Sequence, residues 1–433
     1  MHILKNIVYM VFPRDFLEHT ALPAYHRSLA FLGALWHGFA GRKLYVIAVT
    51  GTKGKTTTTE ILNAILEEAG YKTALSNGIR FKVGDESERN MTKMSMPGRF
   101  FLQGFLDKAR VAKCTHAIIE MTSEGARLHR HEWIPLDAFI FTNLSPEHIE
   151  RHGSFENYRD AKLRIRDSLI ASKKKDKVVV SNKDDTYGET FMDAPKGITR
   201  LPYSLKQAEP YSTNTRLSLF TFEGVSIQSP LLGTFNISNM LACATLCRHL
   251  GIPVSTIKKA LENITTIKGR VQKIDEGQPF IAVVDYAHTA ESLEALYNAF
   301  PNERKICVLG SCGGGRDRWK RAKMAYVAEQ HCDEIIFTNE DPYDEDPKRI
   351  VHDLEEGLQE KKATVIMDRR EAIRYAITKA HERTAVLVTG KGTDPYIMGP
   401  RGSKQVWSDE KVVREELQKI QKEKEDKAGT VVE

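Results

Sequence analysis

Six consecutive residues, Gly51-Thr52-Lys53-Gly54-Lys55-Thr56, carry the clearest chemistry in this 433-residue chain. Glycines at 51 and 54 let backbone N–H groups close on phosphate oxygens. Lys55 can pair with the β/γ-phosphates, and the Thr56 hydroxyl can reach a magnesium ion. The general Walker spacing would want a glycine at position 49, where Val49 stands, so this loop is a shorter variant. Its setting is the one a phosphate cradle needs. The apolar run Leu44 to Thr50 reads as a buried strand before it, and a helical pattern opens at Lys55 after it.

The elements that would position this loop follow from hydropathy. Further apolar runs stand at Ala117–Glu120, Ala138–Phe141 and Val178–Val180, with helical patterns between them, as at Tyr158 to Ile170. That alternation predicts an α/β fold with a parallel-rich sheet. Residues 216–232 read as short strands and turns, and Asn236 to Leu250 as a helix stopped by Gly251 and Pro253. A second alternating block places strands at 280–284, 305–309, 334–338, 364–367 and 385–389. The expected organisation is a short helical N-terminal segment at 1–43, broken by Pro13 and Pro23, and a central P-loop ATP-binding domain at 44–268. A C-terminal Rossmann-like domain at 269–420 and a charged tail at 421–433, frayed or disordered, complete it.

Composition narrows the class. Sixty-three Lys and Arg against 57 Asp and Glu leave a charge of +6. That is too mild and too evenly spread for a nucleic-acid partner, and it suits anionic small molecules. The six cysteines form no C-x-x-C pair, which argues against a zinc ribbon, and they read as reduced, mostly buried thiols of a cytoplasmic protein. No apolar run reaches the ~20 residues of a membrane span. Met1 to Phe12 carries Ile3, Leu4, Ile7, Val8 and Val11 on one helical face. It reads as a helix packed on the body, or as one that docks on a membrane or partner.

Several segments, in order from 44 to 415, resemble the Mur ligase superfamily, which includes folylpolyglutamate synthetase. The loop with Thr57 fits G-T-x-G-K-T-T. Ile119-Glu120-Met121-Thr122-Ser123 is similar to E-V-S-S, and Thr142-Asn143-Leu144-Ser145-Pro146-Glu147-His148 to T-N-L-S-x-D-H, with Glu147 for Asp. Tyr158 to Lys162 matches the segment whose lysine is carbamylated in these enzymes. Gly233 to Asn239 resembles G-x-F-N-x-x-N, and Gly269-Arg270 stands where the last domain opens. Asp285-Tyr286-Ala287-His288-Thr289 resembles D-Y-A-H-T. Gly313 to Arg321 resembles G-G-D-R-D-x-x-K-R, and Gly390-Lys391-Gly392-Thr393-Asp394 resembles G-K-G-H-E. The last four point to the branch adding the third amino acid of the cell-wall peptide.

The resemblance implies an ATP-dependent ligase. A carboxylate is a poor electrophile, so ATP would convert it to an acyl-phosphate, and an amine would displace phosphate. Gly51, Thr52, Lys53, Gly54, Lys55, Thr56 and Thr57 would hold the phosphates, and Asn239 would lie near the adenine. Thr56, Glu120, His148 and Lys162 would hold metal, with two magnesium ions expected. Lys162 is expected to be carbamylated, since a bare ammonium would be repelled there. Arg270 would reach the phosphates, while Asp317 would bind ribose or orient Lys320. His288, Asp341, Tyr343, Gly390 and Asp394 would meet the amino acid. The remaining substrate would be a muramyl-peptide-type acceptor, and the enzyme a monomer.

Two departures from the family pattern matter. Only about 43 residues precede the first strand, where the family usually carries a domain for a uridine nucleotide. The expected consequence is an acceptor held differently, or with help from a partner or a membrane. Glu340-Asp341-Pro342-Tyr343 stands where diaminopimelate enzymes carry D-N-P-R. Tyr343 thus replaces an arginine that would grip a distal carboxylate, which favours lysine or another amino acid. Two alternatives stay open: a folylpolyglutamate synthetase-like glutamate ligase, and a non-catalytic nucleotide-binding protein. The amidating branch that also lacks the first domain carries four zinc-binding cysteines, for which the spacing here offers no match.

Overall fold

The computed structural model describes residues 21–429, and the Met1–Phe12 segment lies outside them. Two compact units are distinguished. The first holds the described part of Met1–Pro146 with Gly153–Ser204 and Asn239–Ile257. The second holds Glu147–His152, Leu205–Ser238 and the described part of Lys258–Glu433.

The first unit is built on an eight-stranded sheet. Its strands are β1 (Tyr45–Thr50), β2 (Thr73–Ser76), β3 (Arg80–Val83), β4 (Glu86–Arg89), β5 (His116–Glu120), β6 (Ala138–Phe141), β7 (Val178–Asn182) and β8 (Thr199–Tyr203). They lie in the order β4-β3-β2-β5-β1-β6-β7-β8. All neighbours are parallel except β2–β3 and β3–β4. Val46, Ile47, Ala48 and Val49 are all fully buried, as expected of a parallel strand covered on both faces. Val49 pairs with Glu120 and Thr50 with Phe141. The chain segments after β1, β5 and β6 therefore leave one sheet edge side by side. This is the carboxyl-end crevice where open α/β sheets bind ligands.

Sequence periodicity missed the antiparallel edge β2–β4. Its strands are four residues long, and Glu86–Arg89 is polar and exposed throughout, so no apolar run marks it. Pro23, expected to break a helix, instead stands in the first turn of Leu22–Trp36. There its missing N–H costs nothing and its fixed φ suits the helix.

The second unit contains a small antiparallel sheet, β9 (Ser212–Thr213), β10 (Ser218–Phe222) and β11 (Val225–Ser229). Its larger sheet comprises β12 (Gln272–Ile274), β13 (Ile281–Val284), β14 (Arg304–Leu309), β15 (Glu334–Phe337), β16 (Thr364–Val365) and β17 (Thr384–Val388). The order is β12-β13-β17-β14-β15-β16, with only β12 antiparallel to its neighbour. Alternate residues feed two separate cores. Cys307, Leu309 and Leu387 face one, and Ile306, Val308, Val386 and Val388 face the other. Both faces are thus covered, as in a doubly wound sheet. The helix Asp409–Gly429 contributes Val412, Val413 and Leu417 to the second core and takes in the described part of the charged tail.

The expectation of six reduced thiols is corrected at two of them. Cys307 on β14 and Cys332, at the end of the helix Lys320–His331, form a disulfide with Cα atoms 6.1 Å apart. They meet inside one core although 25 residues separate them, a spacing that carries no local signal. Cys114, Cys243, Cys247 and Cys312 are free thiols.

Candidate active site

The phosphate loop in the first unit joins β1 to the helix Lys55–Glu68. Gly51 and Gly54 have φ of +151° and +80°, a region that side-chain-bearing residues rarely adopt. A Cβ on Gly51 would fall 1.9 Å from Thr142 Oγ1, and one on Gly54 would fall 2.4 Å from Asn239 Oδ1. Both glycines are therefore required by the backbone and by close neighbours.

The segment after β6 buttresses the loop. The Thr52 amide donates to the Asn143 carbonyl, and the Lys53 amide to Asn143 Oδ1, each at 2.8 Å. Thr142 Oγ1 donates to the Lys53 carbonyl at 2.7 Å. Lys55 Nζ folds back to the Thr52 carbonyl at 2.9 Å. The helix Thr234–His249 brings Asn239, which also accepts from Thr58 Oγ1 at 3.3 Å. Thr57 is buried one residue after Thr56.

Thr56 and Glu120 converge. Thr56 Oγ1 donates to Glu120 Oε2 at 2.7 Å, and the Gly78 amide donates to the same oxygen at 3.1 Å. Both side chains are buried, at 5% and 2% exposure. Two adjacent oxygens on an octahedral magnesium with its 2.0–2.1 Å bonds lie about 2.9 Å apart. The hydroxyl and carboxylate thus already have the chemistry and the spacing of two ligands of one hard cation. With the glycine cradle beside them, the residues present fit a triphosphate with magnesium.

Lys162 lies on the helix Phe155–Ala171 and is 1% exposed. Its Nζ donates to the Gly51 carbonyl at 2.6 Å and lies 4.6 Å from the centre of the Tyr158 ring. The Tyr158 hydroxyl shares a hydrogen bond with Thr52 Oγ1 at 3.0 Å. Tyr158 and Lys162, one helical turn apart, therefore both touch the loop. Sequence reasoning quoted Thr142, Asn143 and Tyr158 as parts of motifs but gave them no role. The i, i+4 spacing of Tyr158 and Lys162 was the available signal.

The second unit gathers loops at the carboxyl ends of β13, β14, β15 and β17. After β13, the buried Asp285 accepts amide bonds from Val271 and Ala287, both at 2.6 Å, while burial raises its pKa. Arg270 stacks 4.5 Å above the Tyr286 ring. His288 Nδ1 lies 2.7 Å from the Tyr286 carbonyl, and its Nε2 lies 3.0 Å from Glu147 Oε1. A carbonyl only accepts, so Nδ1 carries a proton. The Nε2 side of the ring faces the Glu147 carboxylate. Glu147 was missed as a partner because 141 residues separate the pair.

His148 belongs to this second unit and has a left-handed φ of +57°. Its Nδ1 lies 3.4 Å from Arg316 Nη1 and acts as the acceptor, because a guanidinium only donates. Asp317 accepts from the Glu150 amide at 3.3 Å. Burial first, then the Asp317 hydrogen bond and charge, push the Glu150 carboxyl up to about 7. Lys320 is buried in the first turn of its helix, and the fully buried Arg321 is paired with Glu345 and Asp353.

In the segment Glu340–Tyr343, Asp341 Oδ1 accepts from Lys391 Nζ at 2.8 Å and from the Met398 amide at 2.7 Å. Glu340 Oε1 accepts from the Cys312 thiol at 3.0 Å. Burial, then the charges of Glu340 and Asp341, hold that thiol protonated. A Cβ on Gly390 would fall 2.3 Å from Glu340 Oε2. Tyr343 has a left-handed φ of +52°, its amide donates to the Met398 carbonyl, and its ring closes on Gly314. Asp394 lies 3.6 Å from Lys391. A further cleft in this unit, of about 100 Å³, is lined by Arg216, Leu232, Asn236, Thr265, Arg270 and Lys273 among others.

Residues 49–247 match the family model of the Mur ligase middle domain, and residues 269–392 match that of the Mur ligase glutamate ligase domain. The UDP-N-acetylmuramoyl-L-alanyl-D-glutamate--2,6-diaminopimelate ligase of Syntrophomonas wolfei is 34% identical over 389 residues, covering 86% of this chain and 78% of that protein. A UDP-N-acetylmuramyl-tripeptide synthetase of Roseiflexus sp. is 34% identical over 398 residues, with the same coverage. A solved UDP-N-acetylmuramoyl-L-alanyl-D-glutamate--2,6-diaminopimelate ligase is 26% identical, with a TM-score of 0.59 over 87% of this chain and 79% of that one. Folylpolyglutamate synthase of Mycobacterium tuberculosis shares the fold, with a TM-score of 0.65 over 84% of this chain and 92% of that one, at 14% identity.

Fold, loop and relatives together define an ATP-dependent, ADP-forming ligase that makes C–N bonds. The chain belongs to the Mur ligase family, with tripeptide synthetases and diaminopimelate ligases among its relatives.

Proposed function

We propose that this chain joins an amino acid to the free carboxylate of a muramyl-peptide-type acceptor in the cytoplasm, through an acyl-phosphate. The observation that carries this reading is the Thr56–Glu120 pair beside the two-glycine cradle. Magnesium there would offset the charge that spreads over the transferring phosphoryl oxygens. The loop amides and Lys55 would hold the β/γ-phosphates, with Lys53, Thr52 and Thr57 fixing the loop's shape. The relatives' names supply the substrate class, since they describe ligation to UDP-N-acetylmuramoyl peptides.

The reading includes two magnesium ions, held with the help of His148, and a carbamylated Lys162. Burial of Lys162 against the Gly51 carbonyl supports a role at the loop. A carbamate would turn this buried cation into an oxygen donor suited to a hard metal. Arg270, Asn239, Asp317 and Lys320 would serve the nucleotide. His288, Gly390, Asp341, Asp394 and Tyr343 would face the amino acid. Tyr343 offers no bidentate grip on a distal carboxylate, and Glu340, Asp341 and Asp394 make the loops acidic. This favours lysine or another amino acid over diaminopimelate.

The test is phosphate release with UDP-N-acetylmuramoyl-dipeptide across a panel of amino acids, with a folate acceptor and glutamate as the comparison. Release with the muramyl peptide, abolished in Lys162→Ala, is the expected result. Release only with the folate acceptor would transfer the assignment to the glutamate-adding branch. Unchanged turnover in Lys162→Ala would reject its role.

A further inference from the structure

Asn143 touches three successive residues of the phosphate loop. A Cβ on Gly51 would fall 3.0 Å from the Asn143 carbonyl oxygen and 3.1 Å from its amide nitrogen. The Thr52 amide donates to that carbonyl at 2.8 Å. At Lys53 the Asn143 side chain stands in for a peptide group. Its Oδ1 accepts from the Lys53 amide at 2.8 Å, and its Nδ2 donates to the Lys53 carbonyl at 3.1 Å. Thr142 Oγ1 donates to the same carbonyl at 2.7 Å, so two donors converge on one oxygen.

The direction of that carbonyl fixes the next amide. The peptide between Lys53 and Gly54 is trans, and a trans peptide is planar with its C=O and N–H on opposite sides. A Lys53 carbonyl held on Thr142 and Asn143 therefore turns the Gly54 N–H away from both. Gly54 is the N-cap residue of the helix Lys55–Glu68. Its amide and those that open the helix are the donors an anion would meet there. If the peptide flipped, it would set a carbonyl oxygen against phosphate oxygen. Gly54 has φ of +80°, and glycine tolerates either sign of φ, so its own backbone does not forbid the flip. The restraint comes from the side chains on the Lys53 carbonyl.

We propose that Asn143 is a positioning residue for nucleotide binding. Together with Thr142 it holds the Lys53–Gly54 peptide with its N–H towards the phosphates. The inference rests on the reading that this loop holds a triphosphate. It adds that the loop's polarity is set from outside, by the two residues that follow β6.

The experiment is calorimetric titration of the full chain with ADP and magnesium, with melting midpoints measured alongside. N143A loses both side-chain bonds to Lys53 and should weaken ADP binding about tenfold. T142V keeps the shape of the side chain and should weaken it about threefold. T142S, which restores the hydroxyl, should recover the affinity lost in T142V. Because both donors serve one oxygen, T142V/N143A should lose more than the product of the single losses. Parent-like affinity in N143A and T142V, with only the melting midpoint lowered, would overturn the proposal and leave the triphosphate reading standing. So would a double variant that merely multiplies the single losses. A parent chain that binds no ADP would overturn the reading of the loop, and this inference with it.

Discussion

Thr56 Oγ1 and Glu120 Oε2 lie 2.7 Å apart at the ends of neighbouring elements, one opening the helix after β1 and the other closing β5. Register fixes this meeting, since Glu120 pairs with Val49 across the sheet. If the two oxygens share a magnesium ion, loss of either should act on turnover more than on folding. Thr56→Ala and Glu120→Gln should each lower kcat about 100- to 1000-fold. Both should raise the magnesium concentration needed for half-maximal phosphate release. Titration of magnesium against phosphate release checks this.

Gly54→Ala should fail for a different reason. The new methyl would meet Asn239 Oδ1 in a left-handed backbone. The strain should cost about 1–3 kcal/mol and distort the amides that would face phosphate. Nucleotide affinity, by calorimetry, should fall together with the melting midpoint. Asn239→Ala removes the nearest clash, so the double variant should recover part of the stability.

The buried pair Arg369–Asp409 holds the second unit together. Asp409 accepts from Arg369 Nε at 2.8 Å and Nη2 at 2.7 Å, and from Trp407 Nε1 at 2.8 Å. Both partners are almost fully buried. Asp409→Ala should destabilise by about 3–5 kcal/mol, because it strands a buried guanidinium. Urea unfolding gives the value. Arg369→Met with Asp409→Leu should lose much less than the single variant.

Acid should weaken the first unit through His131. Burial, the leading cause, holds this imidazole down to about 4. Its folded pKa is thus depressed below the ordinary 6.5. The stability it contributes is complete above 6.5 and is lost progressively as pH falls from there to about 4. His116, also held to about 4 by burial, adds in the same direction. The urea midpoint should fall across that window, and His131→Gln should flatten part of the slope.

The candidate loop was legible in the sequence because the pattern expected of a phosphate cradle is local. A glycine pair, a lysine and a threonine between a strand and a helix state their purpose within six residues. The apolar runs at 44–50, 117–120 and 138–141 likewise marked strands that are buried on both faces. What stayed hidden depends on register and distance. Glu147 and His288 meet only in the folded chain, as do Cys307 and Cys332. The edge strand Glu86–Arg89 is polar on both faces, so hydropathy had nothing to detect.

The most direct measurement is a crystal of the chain with a nonhydrolysable ATP analogue and manganese, located by its anomalous signal. The account predicts phosphates over residues 51–56 and a manganese peak in ligand contact with Thr56 Oγ1 and Glu120. A nucleotide bound elsewhere, or a metal that touches neither side chain, would contradict it.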